Sequence, residues 1–371
     1  MSAGFYNGEY RDPNAKMTLM DRCFAEEFVD FYVQTVLGGD HDIFNYEKFF
    51  DYFDEYLHEK LHQGEIEQFC DSYNKKYGRN SRYDNGLNYI SRFLNIFNQL
   101  VGSLLTNAKY YENISYTGGY PRYEHLSRLI KELLKNYRVH VHSLNHDMLF
   151  DHIGNTVSGI FEHYCDGFEE AGSKYFGEFH YREMVNDKEF HKMYHVRLHY
   201  YVGNYDKRLS FFKLHGSIDY YPVHLQHDHR PVTIKRDYGV GEVLLERFDE
   251  GKQRFFYENP FTNKYPAYLT GTTQKIKRYK EGFYSNLFQH FNDNLQHCEK
   301  LIVIGYGFQD PGINEILEQY YLSKGKKVIV VDIRMPDSPL VEKYADCFIY
   351  AGGGLSDIIY KNYVDLLEIN G

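Results

Sequence analysis

The sequence lacks paired cysteines, tryptophan and any long apolar run. Its five cysteines lie far apart among 371 residues, and no two stand close enough to form a Cys-x-x-Cys pair. This spacing argues against a disulfide framework and a zinc ribbon, and it indicates reduced thiols in a cytosolic protein. No apolar run is long enough to cross a bilayer, and the stretch 1–16 is polar, without the core of a secretory signal. We therefore expect a cytoplasmic protein; the absence of tryptophan excludes no class of function.

Positive charge is also scarce. The formal net charge of −10 at pH 7 disfavours general attraction to nucleic acid or to an anionic membrane, although a local basic patch can still bind a phosphate-bearing ligand. Hydrophobic residues form 43% of the chain and charged residues 25%, which suits a soluble globular protein with one large core or two modest ones. No segment is rich enough in proline, glycine or serine to separate independent domains. We expect a single domain over residues 1–371.

The first third of the sequence, up to residue 137, is predicted to be mainly helical. Apolar residues recur at helical spacing from Phe24 to Leu37 and again from Tyr89 to Leu105. A third apolar stripe, in the segment 124–136, has polar residues on the opposite face. This segment passes almost without a loop into the β-branched segment 137–145, so we expect a helix that leads into a strand.

Later short runs predict further strands, at 209–216, 300–307, 326–333 and 346–354. The run at 300–307 contains LIVIG and the run at 326–333 contains VIVVD. Both are apolar, as in parallel strands covered on both faces. Between them, Asp310 and Pro311 suit the start of a helix and Gly325 its end. A strand, a helix and a strand in this order predict an open α/β fold.

The stretches 155–208 and 222–285 fit that plan poorly, because they are aromatic, charged and irregular. We interpret them as insertions that form a smaller lobe at the edge of the sheet. The histidines His191, His195 and His199 recur every four residues, as on one face of a helix. They have no cysteine partners, and we predict no metal site.

Each predicted strand ends in residues that a protein core does not favour. In chain order these are Asn145 and Asp147, then His215-Gly216-Ser217, then Gly305-Tyr306-Gly307, and finally Asp332. Ligands bind at the carboxyl ends of parallel strands, so we expect the four ends to converge on one rim. Glycine lets backbone amides approach a phosphate, an acid after a strand suits ribose hydroxyls, and a histidine exchanges protons near neutral pH.

Every one of these residues also has a structural interpretation. A histidine at a strand end is often bonded to a backbone carbonyl, and asparagine or aspartate there is usually a turn former. The Gly-Tyr-Gly sequence alone indicates little more than a turn, and Asp332 could cap the next segment. We rely on the combination, since no single turn requirement explains all four strand ends.

Three segments carry a resemblance to a known family: SLNHD at 143–147, KLHGSIDYY at 213–221 and LIVIGYGFQDPGINEIL at 301–317. In order and spacing they resemble the motifs of the sirtuin-like domain family, and most closely its bacterial NAD-consuming branch in anti-phage defence. The matching region runs from about Val139 to Gly354, a little over half of the chain. The resemblance implies a Rossmann-like fold, an open and mostly parallel sheet with helices on both faces, that binds NAD and breaks its nicotinamide–ribose bond.

The resemblance also implies roles for the strand-end residues. Asn145 would contact the nicotinamide ribose and position the attacking water, and His215 would act as the general base. Asp147 would brace the loop. The remaining cofactor-binding positions would be Gly216, Ser217, Gly305, Tyr306, Gly307 and Asp332, of which the last four would hold the adenosine half. NAD is then the substrate, and no metal is implied.

The chain departs from the family pattern in three places. No apolar strand precedes a glycine loop for the pyrophosphate, so Ala3-Gly4-Phe5 is a remnant of that loop, the true start lies upstream, or the loop is lost. Gly307 stands where serine or threonine is common, which removes one hydroxyl contact. The four-cysteine zinc ribbon of the deacetylating members is absent, which favours NAD hydrolysis over lysine deacetylation.

We therefore predict an NAD+ hydrolase that acts as an anti-phage effector by depleting NAD. We expect control by homo-oligomerisation or by a regulatory partner such as an ATPase or a nucleic-acid-guided protein, with no membrane and no sequence-specific nucleic acid bound directly. The alternative is a catalytically silent, nucleotide-sensing or structural subunit of a defence complex, which the missing loop favours. Protein deacylation or ADP-ribosyl transfer is a third interpretation.

Overall fold

The structure is a computed structural model that describes residues 19–78, 86–90, 92–94, 96–97, 116–169, 171–185, 188–224, 231–236, 240–261, 268–269 and 274–353. Ala3-Gly4-Phe5, residues 98–105 of the second predicted helix, and Gly354 lie outside them. The chain divides into two compact units that alternate along the sequence. Unit 1 comprises Met1–Tyr111, Glu169–Tyr201 and His215–Arg278, and unit 2 comprises Glu112–Phe168, Val202–Leu214 and Tyr279–Gly371.

The described helices and strands have the following bounds. The helices are α1 (Leu19–Thr35), α2 (Tyr46–Glu59), α3 (Gln63–Tyr77), α4 (Tyr116–Asn136), α5 (Leu149–Thr156), α6 (Gln274–Arg278), α7 (Gly282–His297), α8 (Pro311–Tyr320) and α9 (Pro339–Lys343). The strands are β1 (Val139–Ser143), β2 (Tyr164–Cys165), β3 (Gly167–Glu169), β4 (Tyr175–Val185), β5 (Lys188–Arg197), β6 (His199–Asn204), β7 (Leu209–Lys213), β8 (Tyr220–Val223), β9 (Val232–Lys235), β10 (Val240–Asp249), β11 (Arg254–Glu258), β12 (Leu301–Ile304), β13 (Val328–Asp332) and β14 (Phe348–Gly352).

Unit 1 begins with helices that pack through phenylalanine rings. The ring of Phe28 on α1 lies 4.4 Å from that of Phe69, 5.5 Å from that of Phe53 and 5.3 Å from that of Phe93. All four side chains are buried. The apolar spacing from Phe24 onward therefore predicted α1 correctly, and its apolar face forms the core of this helical layer.

Two further sheets are formed largely by strands of unit 1. A four-stranded sheet has the order β11-β10-β4-β5, and each of its neighbouring pairs is antiparallel. Another has the order β3-β6-β9-β8, in which β9 pairs antiparallel with both β6 and β8. One apolar cluster joins side chains from both sheets, among them Tyr175 of β4, Ile234 of β9 and Leu245 of β10.

Unit 2 contains parallel strands. One three-stranded sheet has the order β1-β7-β2 and another the order β12-β13-β14, and every pair in them is parallel. Helix α4 packs against both, because Ile130 and Leu134 join the core of the first while Leu129 contacts Ile329 and Val331 of the second. The predicted strand, helix and strand β12-α8-β13 is confirmed, and so is the passage from α4 into β1.

The prediction of a Rossmann-like open, mostly parallel sheet with helices on both faces is wrong. The parallel pairs described lie in two small sheets, and most of the described strands pair antiparallel. The stretches 155–208 and 222–285, interpreted as irregular insertions, carry most of those strands. Their side chains include exposed aromatics such as Phe190 and Phe255. A half-exposed strand of this kind lacks the continuous apolar run on which the prediction depended.

The histidine spacing was also misread. His191 and His195 lie on strand β5 and His199 on β6, so the three do not share a helix face. None of the described helices has the length and apolar character needed to cross a membrane.

Candidate functional site

The first part of the candidate site is the carboxyl edge of the sheet β1-β7-β2. Parallel register pairs Ser143, the last residue of β1, with Lys213, the last of β7. The Leu214 N–H then donates to the Ser143 carbonyl oxygen at 2.9 Å. Asn145 follows in the loop after β1, with an exposed side chain, and its N–H donates to Ser143 Oγ at 3.1 Å. The amide of Asn145 is thus open to solvent at a sheet edge.

Asp147 closes the same loop. Its Oδ1 accepts a hydrogen bond from the Leu149 N–H at 2.9 Å, at the first residue of α5. An aspartate here satisfies one of the backbone donors that a helix N-terminus leaves without an intrahelical partner. Its observed contact is therefore with the backbone at the start of α5.

His215, Gly216 and Ser217 belong to unit 1. The side chain of His215 is 6% exposed and that of Ser217 is fully buried. The backbone is fixed by the Leu269 N–H, which donates to the His215 carbonyl oxygen at 2.7 Å, and by a single antiparallel bridge between Gly216 and Tyr268. Gly216 has φ of +76°, a conformation that glycine adopts without strain.

Gly305 and Asp332 come together at the carboxyl edge of the second parallel sheet. Ile304 pairs with Val331 across β12 and β13, so the next residue on each strand lies at the same edge. The Gly305 N–H donates to the Val331 carbonyl oxygen at 3.0 Å. Gly305 has φ of +64°, and a Cβ added to it would meet no described atom within 4 Å. The backbone of this turn is therefore open to a ligand.

Tyr306 uses its hydroxyl group inside the protein. The hydroxyl donates to Asn314 Oδ1 at 3.0 Å and lies 3.3 Å from the carbonyl oxygen of Asp310. Burial raises the pKa of Tyr306 above its ordinary value, which keeps the phenol protonated and able to donate. Tyr306 thus stiffens the turn that contains Gly305 and Gly307, and a ligand there would meet backbone groups.

Asp310 occupies the N-terminus of α8, directly after this turn. Its Oδ1 accepts from the N–H groups of Gly312 and Ile313 at 3.0 and 3.2 Å, and Tyr279 donates to its Oδ2 at 3.2 Å. A helix N-terminus often binds phosphate because its N–H groups are free and its dipole favours negative charge. Here the carboxylate of Asp310 already accepts from these N–H groups and supplies the negative charge that the dipole favours. The N-terminus of α8 therefore does not suit a pyrophosphate.

Asp332 is half-buried. Its Oδ1 accepts from the N–H of the next residue, Ile333, at 2.7 Å, and its carbonyl oxygen accepts from the Tyr350 hydroxyl at 3.0 Å. One carboxylate oxygen thus orients the side chain at the strand end. The carboxylate of Asp332 has a second oxygen, which is an acceptor of the kind to which ribose hydroxyls donate.

The structure therefore gathers only part of the predicted set. Gly305, Tyr306, Gly307 and Asp332 lie at one edge of the second parallel sheet, and Asn145 and Asp147 lie at the edge of the first. His215, Gly216 and Ser217 belong to the other unit. Among the described residues, no three His, Cys, Asp or Glu side chains are grouped to hold a metal ion.

One buried ion pair at the first edge was missed by the sequence reasoning. Lys213 Nζ lies 2.6 Å from Asp151 Oδ2, and the two side chains are 0% and 4% exposed. The signal was present in the sequence, because Lys213 is a single charged residue within the apolar run LSFFKL. The sequence analysis predicts this run only as a strand.

Comparisons with known proteins add no relative. Neither a scan against models of protein families nor a search of curated proteins finds a match for this sequence.

Proposed function

We propose that this protein is an NAD+ glycohydrolase, which converts NAD+ to ADP-ribose and nicotinamide. The observation that carries the proposal is the edge shared by β12 and β13. There the open backbone at Gly305 and the carboxylate of Asp332 stand on adjacent parallel strands. These groups suit the adenosine half of NAD+, because backbone N–H groups approach a ligand closely where no Cβ intervenes and a carboxylate accepts hydrogen bonds from ribose hydroxyls.

Cleavage of the nicotinamide–ribose bond requires mainly that the enzyme position the substrate and a water. Nicotinamide in NAD+ is cationic and leaves as a neutral molecule, so the enzyme has to stabilise an oxocarbenium-like sugar and place a water. In this proposal the exposed amide of Asn145 holds the ribose and orients the water. His215 takes the proton, as the resemblance to sirtuin-like proteins implies. Binding of NAD+ in this proposal needs the parallel strand ends of unit 2 and does not need one large parallel sheet.

An unregulated enzyme of this kind would deplete the NAD of its own cell. We therefore propose that it acts as a cytoplasmic effector of anti-phage defence, held inactive until infection by homo-oligomerisation or by a regulatory partner. An ATPase or a nucleic-acid-guided protein fits that role. The net charge of −10 favours a protein partner over direct binding to nucleic acid.

Two observations favour the alternative, a catalytically silent subunit that senses a nucleotide or has a structural role in a defence complex. His215 is only 6% exposed, whereas a general base has to reach its substrate. Asp310 also satisfies the N-terminus of α8, which weakens the case for a bound pyrophosphate. Such a subunit would bind a nucleotide without turnover.

Release of nicotinamide from NAD+, followed by chromatography, tests the proposal. The purified chain is incubated with NAD+ alone and with candidate activators. We expect release, and we expect Asn145→Ala and His215→Ala to reduce it by about 100-fold or more, the usual scale for loss of a proton-transfer or orienting group. A matched control is His41→Ala, since the side chain of His41 is exposed and lies outside the candidate site.

Calorimetric titration with NAD+ distinguishes the alternative. NAD+ binding without nicotinamide release under any activator would support the silent subunit and contradict hydrolysis. Equal release by the wild-type protein and both alanine variants would contradict the assigned residues.

A further inference from the structure

The Lys213–Asp151 pair is a costly arrangement for a protein to keep. Both side chains are almost fully buried, and their charged atoms are 2.6 Å apart. Removing two charges from water offsets much of the attraction between them, so an apolar pair of similar volume would stabilise the fold as well or better. A buried ion pair is therefore better explained by a need for one particular geometry.

The two residues join the elements on either side of the Asn145 loop. Lys213 ends β7, whose pairing with β1 fixes Ser143, the residue before the loop. Asp151 lies in the first turn of α5, directly after the loop. The ion pair therefore ties the far end of the loop to the same strand that holds its near end.

Packing supports the same connection. Lys213 and Phe211 are two residues apart on β7 and so point to the same face of the strand. Phe150 of α5 stacks on Phe211 with 4.4 Å between ring centroids, and Ile153 of α5 belongs to the same buried cluster. Helix α5 thus covers this face of β7 through apolar contacts, and the ion pair fixes its position along the strand end.

We propose that Lys213 and Asp151 are positioning residues that hold the loop 144–148, and with it the amide of Asn145, in the geometry for nicotinamide release. This inference rests on the proposed function. Neither residue touches the reacting atoms in this assignment, since both are buried behind the loop. Their contribution is the placement of Asn145, which chemistry with a positioned water requires to a fraction of an ångström.

The test uses the full chain with the double variant Lys213→Met, Asp151→Asn, which removes both charges together and leaves no uncompensated one. We expect it to fold and to lower kcat for nicotinamide release by about 10- to 100-fold. The KM for NAD+ should change by less than about threefold, because an interaction needed for the transition state affects kcat. A second double variant, Lys213→Met with Asp151→Leu, repeats the test with an apolar pair in case the first does not fold.

Hydrogen exchange gives a readout that does not depend on activity. The N–H groups of Asn145 and Leu149 are held by Ser143 Oγ and Asp147 Oδ1. In the double variant we expect their exchange to be about tenfold faster, while amides within β1 and β7 stay protected. The control is Lys343→Met with Glu318→Gln, because this ion pair is exposed, with side chains 61% and 35% accessible.

The outcomes separate the two proposals. If the wild-type protein releases no nicotinamide, the proposed function fails, and exchange at Asn145 and Leu149 still decides whether the pair positions the loop. If the folded double variant keeps wild-type kcat, the positioning role is overturned, whatever its exchange rates. Unchanged exchange together with unchanged kcat would show that the pair has only a general stabilising effect, like that of the control.

Discussion

Acid should destabilise this protein through His142, the fourth residue of β1. Its imidazole stacks on Phe212 with ring centroids 4.6 Å apart and lies 4.8 Å from the ring of Phe291. Its Nε2 lies 3.2 Å from Asn294 Nδ2. Burial among these rings, with a smaller effect from the nearby His140 and His290, lowers the pKa of His142 to about 3.

The direction of the effect follows from proton binding. The unfolded chain takes up a proton at this histidine near pH 6.5, its ordinary pKa, whereas the folded protein takes it up only near pH 3. The stability that depends on the neutral ring is therefore present above pH 6.5 and is lost as the pH falls toward 3. Between pH 7.5 and pH 5 the loss from His142 alone is about 2 kcal/mol, a large part of the 5–15 kcal/mol that stabilises a typical domain.

Urea denaturation at a series of pH values measures this loss. His142→Gln removes the titrating ring and should reduce the decrease in unfolding free energy between pH 7.5 and pH 5 by about 2 kcal/mol. His41→Gln is the matched control, because the side chain of His41 is exposed, and it should leave the decrease nearly as in the wild type. An equal pH dependence in wild type and His142→Gln would refute the reasoning.

Three further predictions concern stability in urea at neutral pH. Phe28→Ala should lower the free energy of unfolding by about 3–5 kcal/mol, since it leaves a cavity among three other buried rings. The control Phe161→Ala removes an exposed ring and should lower it by less than about 1 kcal/mol. Similar values for both variants would contradict this packing. Asp310→Ala should cost about 1–2 kcal/mol through loss of the α8 cap, and an unchanged midpoint would show that the cap contributes nothing. Gly305→Ala should lower the free energy of unfolding by about 1–2 kcal/mol because Gly305 has a positive φ. Gly307→Ala, at a glycine without positive φ, should lower it by less. The reverse order would contradict the turn geometry.

The sequence predicted elements best where one physical signal dominated. The strand β13 is a run of four buried apolar residues, and α8 begins with Asp310 as its cap and Pro311 in its first turn. Each of these signals acts within a few residues, so they need no knowledge of the rest of the chain. Strand pairing is different, because it depends on partners far away in the sequence.

The error in the fold class has that origin. Strand β4 pairs with its neighbour β5 but also with β10, which follows more than 50 residues later. Of the described side chains of β4, only those of the first three residues are buried, and the described part of β5 is largely exposed. Neither strand has a continuous apolar run, so nothing local distinguishes them from an irregular insertion.

The polar residues that follow the strands could be identified from the sequence, and their grouping in space could not. The sequence shows directly that polar residues follow β1, β12 and β13, because a turn follows the end of each strand. That Tyr306 bonds to Asn314 could not be predicted, because this contact depends on side-chain directions. The partner of Lys213 could not be identified either, since Asp151 lies 62 positions earlier, in helix α5.

The alternation of the two units along the chain affects how the protein is made. Leu129 of α4 has Ile329 and Val331 as its apolar neighbours, and about 200 residues separate them. At about 5–20 residues per second, the ribosome needs roughly 10–40 s after it has added Leu129 before β13 is complete. Throughout this interval the strand that packs against Leu129 has not been synthesised, so this apolar part of α4 lacks its partner. Chaperones that bind during translation recognise exposed apolar surface of this kind.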